Sequence, residues 1–274
     1  MYNDLFSIGP VTIHTYGLFV AIGIIAAYIV TERRGKKLGV DVSHLDSLAF
    51  CFVISGFVGS KCLYFLTRIQ DILKDPSVVS NLLDGWVVWG GIIGGLIGGY
   101  VYCRIHHMDF WQQVDLIIPS VALAQGFGRL GCFFAGCCYG VETHGWWGVV
   151  FPEGSLAPAG IPLVPTQLLC SLFDFALFFF LLFLVKKKKD MFKGEVAVWY
   201  LMLYCIGRFV IEFYRGDLIR GGLEGLSTSQ IISLIMFALA AALCLQAFVK
   251  SDAVSRRSSC ICRDGKKRFE TSKF

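Results

Sequence analysis

Arg208 and Glu212 lie four residues apart in an apolar stretch that runs from Val196 to Phe213. Read as a helix, this spacing puts both side chains on one face, with Tyr204 a turn before them and Arg215 beyond. A charge at the centre of a bilayer helix costs roughly 2.5–3.5 kcal/mol on insertion scales, so a segment that accepts two within one turn has a use for them. Arg129 is a second such residue. It sits in a glycine-rich run marked by Gly128, Gly131, Gly136 and Gly140. Glycines let a backbone bend and approach a ligand closely, and unpaired amides in such a loop hold anions. An arginine presents five donors in a planar fork that matches phosphate oxygens. Arg129 and Arg208 converging on an outward-facing cavity would therefore suit a phosphate-bearing lipid head group, with Glu212 orienting Arg208. The plainer reading is that Arg129 snorkels to the interface, the glycines serve packing, and Arg208 with Glu212 is a structural ion pair.

The elements that must hold these residues are membrane helices. The 274-residue chain is 55% apolar with a mean hydropathy of +0.65, above what a soluble domain of this length carries, which places it among polytopic membrane proteins. Runs of about 20 apolar residues, enough to cross a bilayer, fall at Thr12–Val30, Leu48–Leu66, Trp86–Tyr102, Val114–Phe134, Thr166–Val185, Val196–Phe213 and Ser229–Val249. The sequence thus predicts an all-α bundle of seven transmembrane helices. The Val114–Phe134 run holds Asp115, Pro119, Gln125 and Arg129 and is expected to be kinked or broken, which a membrane permits where protein or water lines the break. Gly90-Gly91, Gly94-Gly95 and Gly98-Gly99, with the small residues from Ser55 to Ser60, suit close helix packing.

Lys and Arg set the orientation. One set of loops, with the C-terminal tail, holds eighteen of them, including Arg33, Arg34, Arg104 and Lys186 to Lys189; the opposite set holds four, Arg68, Lys74, Arg215 and Arg220. The positive-inside rule then puts the N-terminus outside and the C-terminus in the cytoplasm. Residues 1–250 read as a single membrane domain and 251–274 as a basic, mobile tail. The first apolar run lacks a small-residue cleavage site and is expected to remain as a span. The basic residues flank hydrophobic segments, an arrangement of anchors rather than of nucleic-acid contacts. Cys51, Cys62, Cys103, Cys170, Cys205 and Cys244 fall within predicted spans or, for Cys103, at the end of one, where a thiol behaves as a small apolar residue. Cys132, Cys137 and Cys138 lie toward the outer face, where Cys132 is able to pair with either of the others or simply to pack. Cys260 and Cys262 in the tail lack further ligands, and no metal or cofactor motif appears. His106 and His107 read as cytoplasmic loop residues.

In several places, taken in order, the chain resembles the prolipoprotein diacylglyceryl transferase family of bacterial inner membranes. The likeness begins at Phe6 to Leu18 and continues through Gly90 to Gly95, Gly128-Arg129-Leu130-Gly131, Pro165-Thr166-Gln167-Leu168, and Tyr204 to Arg215. The resemblance implies transfer of the diacylglyceryl group of phosphatidylglycerol to the lipobox cysteine at the end of a lipoprotein signal peptide. A thioether forms and glycerol phosphate leaves. In that setting Arg129 and Arg208 stabilise the charge gathering on the departing phosphate, Glu212 orients Arg208, and Arg215 guides the head group. Tyr16 and Tyr204 hydrogen-bond lipid oxygens, and Gly128, Gly131, Gly136 and Cys132 line the substrate site. No cofactor is implied.

Three positions depart from the family pattern. Trp89 stands where a histidine commonly precedes the Gly-Gly pair, Cys132 where asparagine is usual, and Cys137 where an acidic residue often follows the glycine. A cysteine-rich form of the signature also occurs in the family. The proton acceptor for the substrate thiol is left open among His14, Glu212, and no dedicated base at all. Two other function classes fit an intramembrane charge pattern. A transporter predicts internal repeats, which the sequence lacks. A thiol oxidoreductase working through Cys132, Cys137 and Cys138 predicts a second external cysteine pair, and none is evident.

Overall fold

The computed structural model describes residues 4–8, 11–74, 85–188, 191–217, 222–223 and 225–247. A hairpin of β1 (Asp4–Ile8) and β2 (Val11–His14) leads into α1 (Thr15–Leu38), α2 (Leu45–Thr67), the short α3 (Ile69–Lys74), α4 (Val88–Ile105) and α5 (Phe110–Ala135). In the connection that follows, β3 (Val149–Val150) pairs with β4 (Pro162–Leu163). Then come α6 (Thr166–Lys187), α7 (Glu195–Glu212), the hairpin β5 (Gly222–Leu223) with β6 (Leu226–Ser227), and α8 (Thr228–Ala247). All three strand pairs are antiparallel.

Six helices, α1, α2, α4, α5, α6 and α8, are long and apolar enough to cross a membrane. α7 has a comparable length, 18 residues, but carries Glu195, Arg208 and Glu212 and stands outside that set. Their surfaces are inverted relative to a soluble protein. On α6, Leu172, Phe179 and Phe183 are exposed, whereas Thr166, Gln167, Ser171 and Asp174 are buried. In lipid the apolar face needs no burial, and it is the polar side chains that must find partners inside.

Two expectations from sequence change here. The first predicted run does not start as a helix, because Thr12, Ile13 and His14 belong to β2 and the helix opens at Thr15. α5 is neither broken nor divided: it runs through Pro119, which is fully buried. A proline removes one amide donor from the ladder, and that loss is tolerable where protein surrounds it. The three hairpins add short strands to the helices the sequence predicted. The tail expected at 251–274, with Cys260 and Cys262, lies outside the described residues, as does Val249.

The chain divides into two compact units. The first, residues 29–116, is built on α2 against α4. Here Ser55, Gly56, Gly59 and Ser60 face Gly90, Gly91, Gly94 and Gly98, and the two helices run antiparallel. A Cβ on Gly59 would lie 2.4 Å from the Gly90 carbonyl oxygen, and one on Gly94 would lie 2.4 Å from that of Ser55. Only hydrogen fits in that seam, so the backbones touch directly. Ser60 Oγ donates to the Val87 carbonyl at 3.0 Å and Cys51 Sγ to that of Gly98 at 3.6 Å.

The second unit, residues 1–28 with 117–274, holds the candidate site residues. Gly23 of α1 meets Phe127 of α5, where an added Cβ would come within 2.9 Å of the phenylalanine Cβ. Phe19 stacks on Phe134 at 5.1 Å. Ser171 of α6 donates to the Gly126 carbonyl of α5 at 2.9 Å, and Tyr200 of α7 donates to Gln125 Oε1 at 2.6 Å. The connection from α5 to α6 has its own small core of Phe151, Ala157 and Leu163, with Phe133, Tyr139 and Val149 packed on it.

Candidate active site

Arg129 from α5, Cys170, Phe173 and Asp174 from α6, and Tyr204, Arg208 and Ile211 from α7 line one cavity. Its volume is about 10 Å³, close to that of a single water-sized sphere. Three helices thus bring two guanidinium groups, a carboxyl and a phenol to one chamber. α7 can do this because Tyr204, Arg208 and Ile211 fall on one helical face, and Gly207 lies so close to the Phe173 ring that an added Cβ would be 2.3 Å from it. The absence of a side chain at Gly207 lets α6 and α7 come together.

Arg208 is anchored on one side and spare on the other. Its Nη2 lies 2.7 Å from Glu212 Oε2 and donates to Ser229 Oγ at 3.2 Å. Nη1 is buried and has no hydrogen-bond partner among the described residues. A buried donor left unmade costs about 1–3 kcal/mol, more where charge is involved, so such a group is poised for an acceptor. Glu212 is itself held: Ser227 Oγ donates to its Oε1 at 2.9 Å. Ser227 in turn takes the Gln230 amide at 3.2 Å and gives its own amide to Gln230 Oε1 at 2.9 Å. The hairpin ahead of α8 therefore fixes the carboxylate, and the carboxylate fixes the guanidinium.

Beyond α7, Arg215 binds Asp217 through two hydrogen bonds, Nε to Oδ1 at 3.0 Å and Nη2 to Oδ2 at 2.7 Å. Gly140 forms an antiparallel bridge with Arg215. The approach is close enough that a Cβ on Gly140 would lie 2.5 Å from the Val164 carbonyl oxygen and 2.7 Å from that of Tyr214. The glycine-rich run is thus sewn to the end of α7. Burial works against the charge on Arg215, but its bonds to Asp217 and the neighbouring Cys138 sulfur outweigh that and raise its pKa. Hydrogen bonds from the Cys132 and Cys137 thiols, with the charge of Arg215, hold Cys138 well below the usual thiol range against the effect of burial. Cys137 is pushed the other way by its bonds to Cys132 and Cys138 and by burial.

The remaining sequence-predicted residues are placed as follows. Tyr16, in the first turn of α1, lies over Gly131, where an added Cβ would meet its ring at 3.1 Å. Gly128 faces open space, while Gly136 turns the chain off α5 with φ of +72°. His14 is exposed at the end of β2 and is not among the residues lining the cavity. Trp89 is exposed on α4 in the other unit.

Asp174 escaped the sequence reading, although a lone carboxyl inside Leu172-Phe173-Asp174-Phe175 was a signal in itself, since intramembrane acids mark function or pairing. Ser227 and Ser229 gave no such signal; a serine near a helix start reads first as a cap.

A family model described as prolipoprotein diacylglyceryl transferase matches residues 3–246. A phosphatidylglycerol–prolipoprotein diacylglyceryl transferase of Clostridium tetani is 45% identical over 230 residues, covering 84% of this chain and 91% of that protein. Such a transferase of Clostridium perfringens, numbered 2, is 44% identical over 225 residues, covering 82% and 87%. One of Clostridioides difficile is 32% identical over 231 residues, covering 84% and 89%. On matches of this depth and length, the chain belongs to the prolipoprotein diacylglyceryl transferase family.

Proposed function

We propose that this protein transfers the diacylglyceryl group of phosphatidylglycerol to the lipobox cysteine of prolipoproteins, as a multi-pass enzyme of a bacterial cytoplasmic membrane. The observation that carries the reading is the shared cavity of Arg129 and Arg208, with Arg208 Nη1 buried and unpartnered among the described residues, in a chain of this family. The thiolate attacks the glyceryl carbon, a C–S bond forms, and the C–O bond to phosphate breaks with its electron pair leaving on glycerol phosphate. Charge grows on the phosphate as that bond breaks, and preorganised donors act most strongly at such a point. Arg208 supplies Nη1 without having to surrender Glu212 or Ser229. Arg129 faces it, Tyr204 offers a hydroxyl donor, and Tyr16 and Arg215 receive the lipid nearer the glycine-rich loop. The cavity of about 10 Å³ holds roughly one water, so the head group enters by moving side chains apart.

We read residues 1–250 as one transferase domain of seven membrane helices, α7 being the seventh. Neither a transporter nor a thiol oxidoreductase draws support from the family assignment. The test is expression in cells depleted of their own transferase, with a reporter lipoprotein weighed for a gain of one diacylglyceryl unit. The wild-type chain is expected to restore it. R129A and R208A are each expected to lose about 10²–10³-fold in rate, as removal of a transition-state donor does. Transfer that survives both changes refutes the phosphate clamp.

A further inference from the structure

Three thiols meet where the glycine-rich run leaves α5. The sulfurs of Cys132, Cys137 and Cys138 all lie within 4.8 Å of one another. The backbone is bent to bring this about. Gly136 turns the chain at φ +72°, and Cys138 takes φ of +61°, a left-handed conformation that a residue with a Cβ adopts at an energetic cost. Successive side chains of an extended strand point to opposite sides, and the left-handed turn brings Cys138 back beside Cys137. α6 holds the turn in place: Thr166 Oγ1 donates to the Cys138 carbonyl at 2.7 Å and Gln167 Nε2 to that of Cys137 at 2.8 Å. Both of these side chains are buried. The phosphate clamp uses none of the three sulfurs.

We propose that Cys132, Cys137 and Cys138 form a three-thiolate site for a thiophilic divalent cation such as Zn²⁺, with the fourth position open to the substrate thiol. The second half of this rests on the transferase reading. Tetrahedral zinc with bonds of about 2.3 Å sets its sulfurs about 3.8 Å apart, inside the 4.8 Å limit seen here. Three protein ligands and one open position is the arrangement of a reactive zinc site, whereas structural sites are closed by four. The three cysteines are only partly buried, so the open position can be reached. Zinc with three thiolates carries one negative charge and with a fourth carries two; Arg129 and Arg215 face these sulfurs and offset it.

Loading the metal releases to water whatever protons the three thiols still carry. The lipobox thiol then coordinates, loses its proton to water, and is held as the thiolate that attacks the glyceryl carbon. The C–S bond forms, the C–O bond breaks onto phosphate, and the neutral thioether leaves the metal. This supplies a nucleophile without a side-chain base, at a cluster whose neighbour Arg129 also lines the clamp cavity.

The test uses the purified full chain in detergent, reduced and anaerobic, with C260S and C262S to silence the tail thiols. Titration with Co²⁺ is expected to produce thiolate-to-metal charge-transfer absorption that saturates at one equivalent and is displaced by Zn²⁺. The band is expected to be lost in C132S, C137S and C138S and kept in C62S. A signal-peptide segment bearing the lipobox cysteine is expected to shift the ligand-field bands, and the same peptide with serine to leave them. No step needs turnover, so failure of the transferase reading appears separately, as absent transfer. The parent chain decides the first point even where a serine variant fails to fold. No charge-transfer band, or a disulfide from Cys132 to Cys137 or Cys138 in the unreduced protein, overturns the site; a band indifferent to the cysteine peptide overturns the open position.

Discussion

Glu212 is the residue on which the geometry of Arg208 turns. Its side chain is 3% exposed and receives Arg208 at 2.7 Å and Ser227 at 2.9 Å. Removing one partner of a buried ion pair costs about 3–5 kcal/mol, because the other charge stays behind. E212Q is therefore expected to lower the melting temperature in detergent and to reduce transfer by about 10²-fold or more. S227A keeps the charge and deletes the two hydrogen bonds of the hydroxyl, to Glu212 and from the Gln230 amide, so its loss is expected to stay near tenfold. Equal rates for E212Q and wild type would mean that Glu212 does not position Arg208. The i,i+4 spacing made this pair legible in sequence. The third member was not, because Ser227 reaches Glu212 across a turn whose path no local pattern encodes.

Among the elements, α2 and α4 are the most sharply constrained. A Cβ on Gly94 would lie 2.4 Å from the Ser55 carbonyl oxygen and 2.9 Å from Gly59 Cα, both backbone atoms that cannot swing aside. G94V is expected to cost about 1–3 kcal/mol or more through overpacking, read as a fall of several degrees in melting temperature. G17A is the control: nothing lies within 4 Å of the added carbon, and alanine is the better helix former. It is expected to match or slightly exceed wild type. The glycine clusters announced a close seam in the sequence. The connection between α5 and α6 announced nothing, since strands of two residues such as β3 and β4 carry no readable alternation. Its order comes from Phe151, Ala157 and Leu163 packing on one another.

For the molecule as a whole, membrane topology is the open property that can be measured directly. Six helices satisfy length and composition, and α7 stands apart through Glu195, Arg208 and Glu212, of which the last two serve the proposed site. If α7 also crosses, the ends of the chain lie on opposite sides. A reporter active only in the cytoplasm is then expected to function when fused after residue 250. A cysteine label placed in the connection between α5 and α6 is expected to react with an impermeant reagent from outside. A C-terminal fusion active only outside would reverse the orientation and move Arg215 and the three-cysteine cluster to the inner face.

Chain chemistry alone determined that this is a helical membrane protein, where its long helices lie, and which arginines are out of place in lipid. Those properties follow from the length of apolar runs and from the price of a buried charge, both local to the chain. Tertiary structure decided that Arg129 and Arg208 line one cavity with Asp174 and Tyr204, that His14 is absent from its wall, and that three thiols gather beside Arg215. These meetings depend on how closely α5, α6 and α7 approach and on left-handed turns at Gly136 and Cys138, which are set by packing between segments far apart in the chain.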